Sequence, residues 1–91
     1  MTALGADLQA AAEEELGHAA EISWRELSRV MPWGDTYEGF TPGGRAVNFE
    51  RAYVWAERPG GDILCEVTAF ESERFEDGAR RSTLIRKGAP A

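Results

Sequence analysis

The chain has 91 residues, 43% apolar and 10% aromatic, with one cysteine and a formal net charge of −6. Such a length makes one domain, residues 1–91, and such a composition is globular rather than disordered. A single cysteine excludes an internal disulfide and a multi-cysteine metal site, and no run approaches the ~18 apolar residues of a membrane span. The opening residues lack the basic and apolar regions of a signal peptide, so a cytoplasmic protein is expected. Residues 1–50 carry nine acids against three bases and residues 51–91 seven of each, which puts all the excess negative charge in the first half. Acidity of this kind repels nucleic acid and membrane headgroups and favours basic protein surfaces.

The helical part is expected over residues 3–31. Leu4, Leu8, Ala11, Ala12, Leu16 and Ala19 recur at helical spacing and form one apolar stripe. Asp7, Glu13 and Glu14 fall away from it, while Glu15 lands at its rim. Gly17 is a stop or a loose point, which predicts a first helix over about 3–16. Ser23-Trp24-Arg25-Glu26 then fits a capping box, with Ile22 and Leu27 placed as a hydrophobic staple. A second helix over about 24–30 follows, with Trp24, Leu27, Val30 and Met31 on one face. Pro32 ends it, because the residue before a proline is pushed out of the α region.

Beyond Trp33 the period changes from 3.6 to 2, and a β-meander is expected over residues 36–87. Tyr37 to Phe40 makes a short first strand, closed by the turn Thr41-Pro42-Gly43-Gly44. The second strand runs from about Arg45 to Glu57, with Val47, Phe49, Tyr53 and Trp55 on one face. Arg51 interrupts that face and suggests a bulge or strong twist. After the turn Arg58-Pro59-Gly60-Gly61-Asp62, a third strand alternates Ile63, Cys65, Val67 and Ala69 inward. Glu76-Asp77-Gly78 signals a hairpin before a last strand from Ala79 to Lys87, and residues 88–91 form a frayed tail. The fold class is therefore α+β, one or two N-terminal helices packed on a four-stranded antiparallel meander sheet.

Catalytic chemistry finds little footing, and neither an enzyme nor a cofactor or metal site is expected. His18 is the single histidine and sits near a helix end, where a solvated or capping role suits it better than a triad. Cys65 points inward and behaves as a small hydrophobe. Glu66, Glu71, Glu73, Glu76 and Asp77 lack the order of a calcium loop, and the paired glycines lack the lysine of a phosphate loop. Gly17 with Ile22-Ser23 loosely resembles the turn of a DNA-reading helix-turn-helix. The spacing is about one residue short, however, and Glu13, Glu14, Glu15 and Glu21 stand where a groove-reading segment carries bases. Among the late bases, Arg80 and Arg86 share one strand face and Arg81 and Lys87 the other, for pairing with acids of the neighbouring strand rather than with phosphate.

The stretch Pro32 to Phe40 mixes aromatics and carboxylates as interface cores do. Together with the acidic helix it yields the candidate partner-binding residues Asp7, Glu13, Glu14, Glu21, Trp33, Asp35, Tyr37 and Glu38. In length, acidity, lone cysteine and missing catalytic groups the chain resembles the small acidic inhibitors of the anti-CRISPR kind encoded by phages and mobile elements. The resemblance is one of profile, without a shared motif, and assigns no residue. It implies a protein that occupies a basic nucleic-acid-binding surface on a subunit of a CRISPR surveillance complex, without touching nucleic acid or membrane itself. The alternative is a homo-oligomeric structural or accessory protein of a phage or bacterium. An exposed edge strand would also suit a homodimer.

Overall fold

A computed structural model describes residues 3–71 and 77–88, with side chains from residue 5 onward. The side chain of Leu4, residues Glu73 and Glu76, the start of the Glu76 hairpin turn and the tail from 89 onward lie outside the described residues. Helix α1 spans Ala3–Ala19 and a single turn, α2, spans Trp24–Leu27. Four strands follow: β1 Trp33–Phe40, β2 Ala46–Trp55, β3 Ile63–Phe70 and β4 Ala79–Ile85. They form one antiparallel sheet in the order β1-β2-β3-β4. The fold is α+β, with α1 packed over β3 and β4.

Helix α1 runs through Gly17 to Ala19, past the predicted stop. A glycine here costs the helix about 1 kcal/mol relative to alanine, and buried Ala19 beyond it keeps the stripe in contact with the sheet. Leu8, Ala11, Ala12 and Ala19 are buried, and Leu16 packs against them. The Ser23 hydroxyl accepts from the Glu26 amide at 3.2 Å, as a capping residue should. The second helix is shorter than predicted. After Leu27 the bonds tighten to i→i+3, from Arg29 to Glu26 and from Val30 to Leu27. The shared face is lost with the helix, so Leu27 is buried while Val30 is exposed.

The first strand begins four residues earlier than expected. Trp33 already pairs with Tyr53, so the supposed exposed connection is part of the sheet. Two glycines permit this. A Cβ on Gly34 would stand 2.5 Å from the Arg51 carbonyl oxygen, and one on Gly39 would stand 2.7 Å from the Phe49 ring. The predicted bulge at Arg51 is absent, because the register passes unbroken through Arg51↔Asp35 and Arg51↔Val67. Strand β2 is also shorter than the predicted Arg45–Glu57 span, and β4 stops at Ile85 rather than Lys87. Beyond that end the Lys87 amide donates to Asp62 Oδ1 at 2.8 Å.

One sheet face is therefore made of Trp33, Asp35 and Tyr37, of Val47, Phe49, Arg51 and Tyr53, of Ile63, Cys65, Val67 and Ala69, and of Arg81 and Ile85. This inner face meets α1 and supplies most of the buried core. The Tyr53 hydroxyl, at its centre, donates to the Ala19 carbonyl at 2.8 Å and closes the end of α1. Tyr53→Phe should lower stability by about 1–2 kcal/mol, since it strands a buried carbonyl while keeping the ring. The measurement is the urea midpoint at constant m-value.

Candidate interaction surface

Because α1 covers β3 and β4, the β1 side of the inner face is closed by its own side chains. Arg51 stands there on β2, directly opposite Asp35. Its Nε donates to Asp35 Oδ1 at 2.7 Å and its second terminal nitrogen to Oδ2 at 2.6 Å, a fork-on-fork pair. The guanidinium carbon lies 5.1 Å from the ring centre of Trp33 and 5.1 Å from that of Tyr37. Alternation on β1 produces this arrangement: residues 33, 35 and 37 project to one side, so two rings flank a carboxylate. The Asp35 bond raises the Arg51 pKa further, so it is charged at every accessible pH.

The rings are anchored in turn. Trp33 meets Tyr53 edge-on at 5.1 Å, and Tyr37 lies against Phe49 at 5.5 Å. The Tyr37 hydroxyl donates to Glu15 at 2.8 Å, which explains a carboxylate at the rim of the apolar stripe. Burial first, then the Glu15 bond, pushes the Tyr37 pKa well above its ordinary value. Burial also pushes Tyr53 up to about 12 and the buried Cys65 thiol up to about 11.

The eight candidate partner-binding residues do not form one surface. Trp33, Asp35 and Tyr37 come together, but around Arg51. Asp7 accepts from the Thr41 hydroxyl and, at 3.1 Å, from the Gly43 amide, tying α1 to the β1–β2 turn. Gly43 leaves room for it, since a Cβ there would meet both carboxylate oxygens at 3.0 Å. Glu13 takes the Arg81 guanidinium at 3.2 Å. Glu14 and Glu21 are exposed along α1 and just past its end, on the side that also presents Glu13 and His18. Glu38 is exposed on the outer sheet face, away from all of these.

Arg51 was missed as a site residue. A charge inside an alternating apolar run was legible, and its meaning was a partner on the adjacent strand rather than a bulge. The late bases also find acids. Arg80 lies 3.9 Å from Glu66 on the neighbouring strand, and Arg86 lies 3.9 Å from Asp62. Arg81 instead reaches the helix, and Lys87 sits over the Trp24 ring at 5.9 Å. Among the described residues no group of three His, Cys, Asp or Glu side chains could hold a metal, and no helix is long and apolar enough to cross a membrane.

Arg51→Lys keeps the charge but loses the fork and the planar stacking, and should lower stability by about 1 kcal/mol. Arg51→Ala should lower it by about 2–3 kcal/mol, a value below that of a fully buried pair because Asp35 remains 39% exposed. Urea titration of both variants checks the order. Alkali supplies a second test. Folding raises the thiol pKa of Cys65 to about 11, so the unfolded chain loses that proton first and stability falls as pH climbs from about 9 through 11. Melting temperatures across that range should fall more steeply for the native protein than for Cys65→Ala. Native Cys65 should react with a thiol reagent far more slowly than the unfolded chain does. Comparison of the chain with protein-family models, with curated proteins and with solved structures returns no match.

Proposed function

We propose that the chain is a non-enzymatic, protein-binding inhibitor that offers the outer side of α1 to a basic surface on its partner. The observation that carries this reading is the charge of that side. Helix α1 contains Asp7, Glu13, Glu14 and Glu15 and no lysine or arginine. Asp7 and Glu15 are bound to the sheet, whereas Glu13, Glu14 and the following Glu21 remain exposed. Glu13 shares its charge with Arg81, and the exposed Glu14 and Glu21 beside it raise a negative potential that steers toward lysine- and arginine-rich surfaces. Surfaces of that kind are built to hold nucleic acid, and the partner class proposed is a nucleic-acid-holding subunit of a CRISPR surveillance complex in the cytoplasm of a host cell.

The binding residues within this reading are Glu14 and Glu21, with Glu13 contributing beside its arginine. Titration of the protein into a purified surveillance complex, read as loss of guide-directed DNA binding, tests it directly. Inhibition should weaken as salt rises, because exposed charges are screened beyond ~8 Å at physiological ionic strength. Added nucleic acid should compete. Reversal of Glu14 and Glu21 together to lysine should slow association at least tenfold at low salt while leaving the melting temperature nearly unchanged, since solvent-facing changes usually cost less than ~0.5 kcal/mol each. An on-rate indifferent to that reversal would remove the acidic face from the binding surface.

A further inference from the structure

The open edge of β1 carries its own pairing code. Two bonds at the sheet's turns fix the phase of the ladder. The Thr41 amide donates to the Arg45 carbonyl, and the Ala56 amide donates to the Asp62 carbonyl. Both mark hydrogen-bonded pairs in the antiparallel pattern, in which successive residues alternate their backbone groups between the two sides. Odd-numbered residues of β1 therefore bond to β2. Gly34, Thr36, Glu38 and Phe40 turn their amides and carbonyls to the open edge. This edge has neither lysine nor proline, the usual guards against pairing. Phe40, at its end, is 71% exposed.

We infer that β1 pairs antiparallel with β1 of a second copy of this chain, about a two-fold axis at Tyr37, to give a continuous eight-stranded sheet. Only even residues can bond across this edge, which leaves a short choice of registers. An axis at Thr36 would put Pro32, which has no amide, opposite Phe40. An axis at Glu38 would put two Glu38 carboxylates face to face. With the axis at Tyr37, Gly34 pairs with Phe40 of the partner copy and Thr36 pairs with Glu38, so all four outward residues of each strand bond. No like charges stand directly opposite each other, and the two Glu38 carboxylates lie on the diagonal. The exposed Phe40 ring lies over the bare backbone of Gly34, the aromatic cover that a strand glycine otherwise lacks. Asp35 faces Gly39, whose missing side chain leaves the Arg51 pair undisturbed. Both copies of α1 stay clear, since each packs on the far strands β3 and β4.

The register is tested by cross-linking. Thr36→Cys and Glu38→Cys chains, mixed and oxidised, should give a disulfide heterodimer at several times the yield of either homodimer, because a hydrogen-bonded pair places its Cα atoms ~5.5 Å apart, within disulfide reach. Buried Cys65 does not compete. Light scattering on the native chain should approach twice the 10.0 kDa monomer mass as concentration rises. Amide exchange at Gly34, Thr36, Glu38 and Phe40 should slow at least tenfold over the same range. Phe40→Lys should raise the dissociation constant at least tenfold without unfolding the monomer, as circular dichroism would report. A monomer mass up to ~1 mM, the limit of weak association that matters here, overturns the proposal. So does a mass that grows past two chains, or homodimeric disulfides that match the mixed yield.

Discussion

A guanidinium on the sheet face that must be buried sets the terms for the rest of this fold. Removing a charge from water costs several kcal/mol unless a partner and hydrogen bonds replace the solvent. For Arg51 the partner is Asp35, and the two can meet only if β1 lies beside β2 with residue 35 opposite residue 51. That single requirement selects the register of the whole hairpin. It brings Trp33 and Tyr37 onto the flanks of the guanidinium, and it carries the ladder back to Trp33. A slip of one residue would turn the acid to the opposite face and leave the arginine unmatched. The pair thus specifies pairing more than it adds stability.

The second constraint ties the helix to that sheet. Among the described residues, polar contacts run from α1 at Asp7 to the β1–β2 turn, at Glu13 to Arg81 on β4, at Glu15 to Tyr37 on β1, and from the Ala19 carbonyl to Tyr53 on β2. They touch three strands and the turn that joins two of them. The small side chains Ala11, Ala12 and Ala19 let the helix lie close, and the tyrosines reach up from the uncovered side. Among the described residues no buried side-chain nitrogen or oxygen is left without a partner. Acids that look interchangeable in the sequence therefore divide by geometry: Asp7, Glu15 and Asp35 hold the fold, while Glu14 and Glu21 face solvent.

How much of this could be read beforehand depended on whether the signal was local. Periodicity is local, so the stripe from Leu8 to Ala19 and the alternation from Ile63 to Ala69 were legible, and with them the order of elements. The turns were legible for the same reason, as Pro42-Gly43-Gly44 and Pro59-Gly60-Gly61 show. Strand limits were not. Whether Trp33 to Thr36 join the sheet depends on β2 being alongside, and Gly34, a poor strand former, argued locally against it. Periodicity puts Glu15 at the rim of the stripe but gives no partner for it; Tyr37, 22 residues away, is that partner. The candidate site suffered most. Aromatics next to carboxylates resemble an exposed interface, yet the Asp35 carboxylate takes an arginine 16 residues further on in the same chain.

The two proposals meet in the geometry of the paired sheet. A two-fold axis normal to the sheet at Tyr37 leaves both helices on one side of it. With strands ~4.8 Å apart and α1 lying over β3 and β4, the two acidic faces would stand ~30 Å from each other on the same side of the sheet, each turned away from the axis by the sheet's twist. A partner surface with basic patches at that spacing would meet both faces at once, and the second contact would form at high effective concentration. Exposed carboxylates are individually weak at physiological salt, so Glu14 on the helix and Glu21 just past its end, with Glu13 shared with Arg81, give limited affinity alone. Doubling this set through β1 offsets that weakness without adding a new side chain. It also makes a clear demand on the data: loss of the dimer should weaken binding to an extended basic surface far more than binding to a single basic peptide.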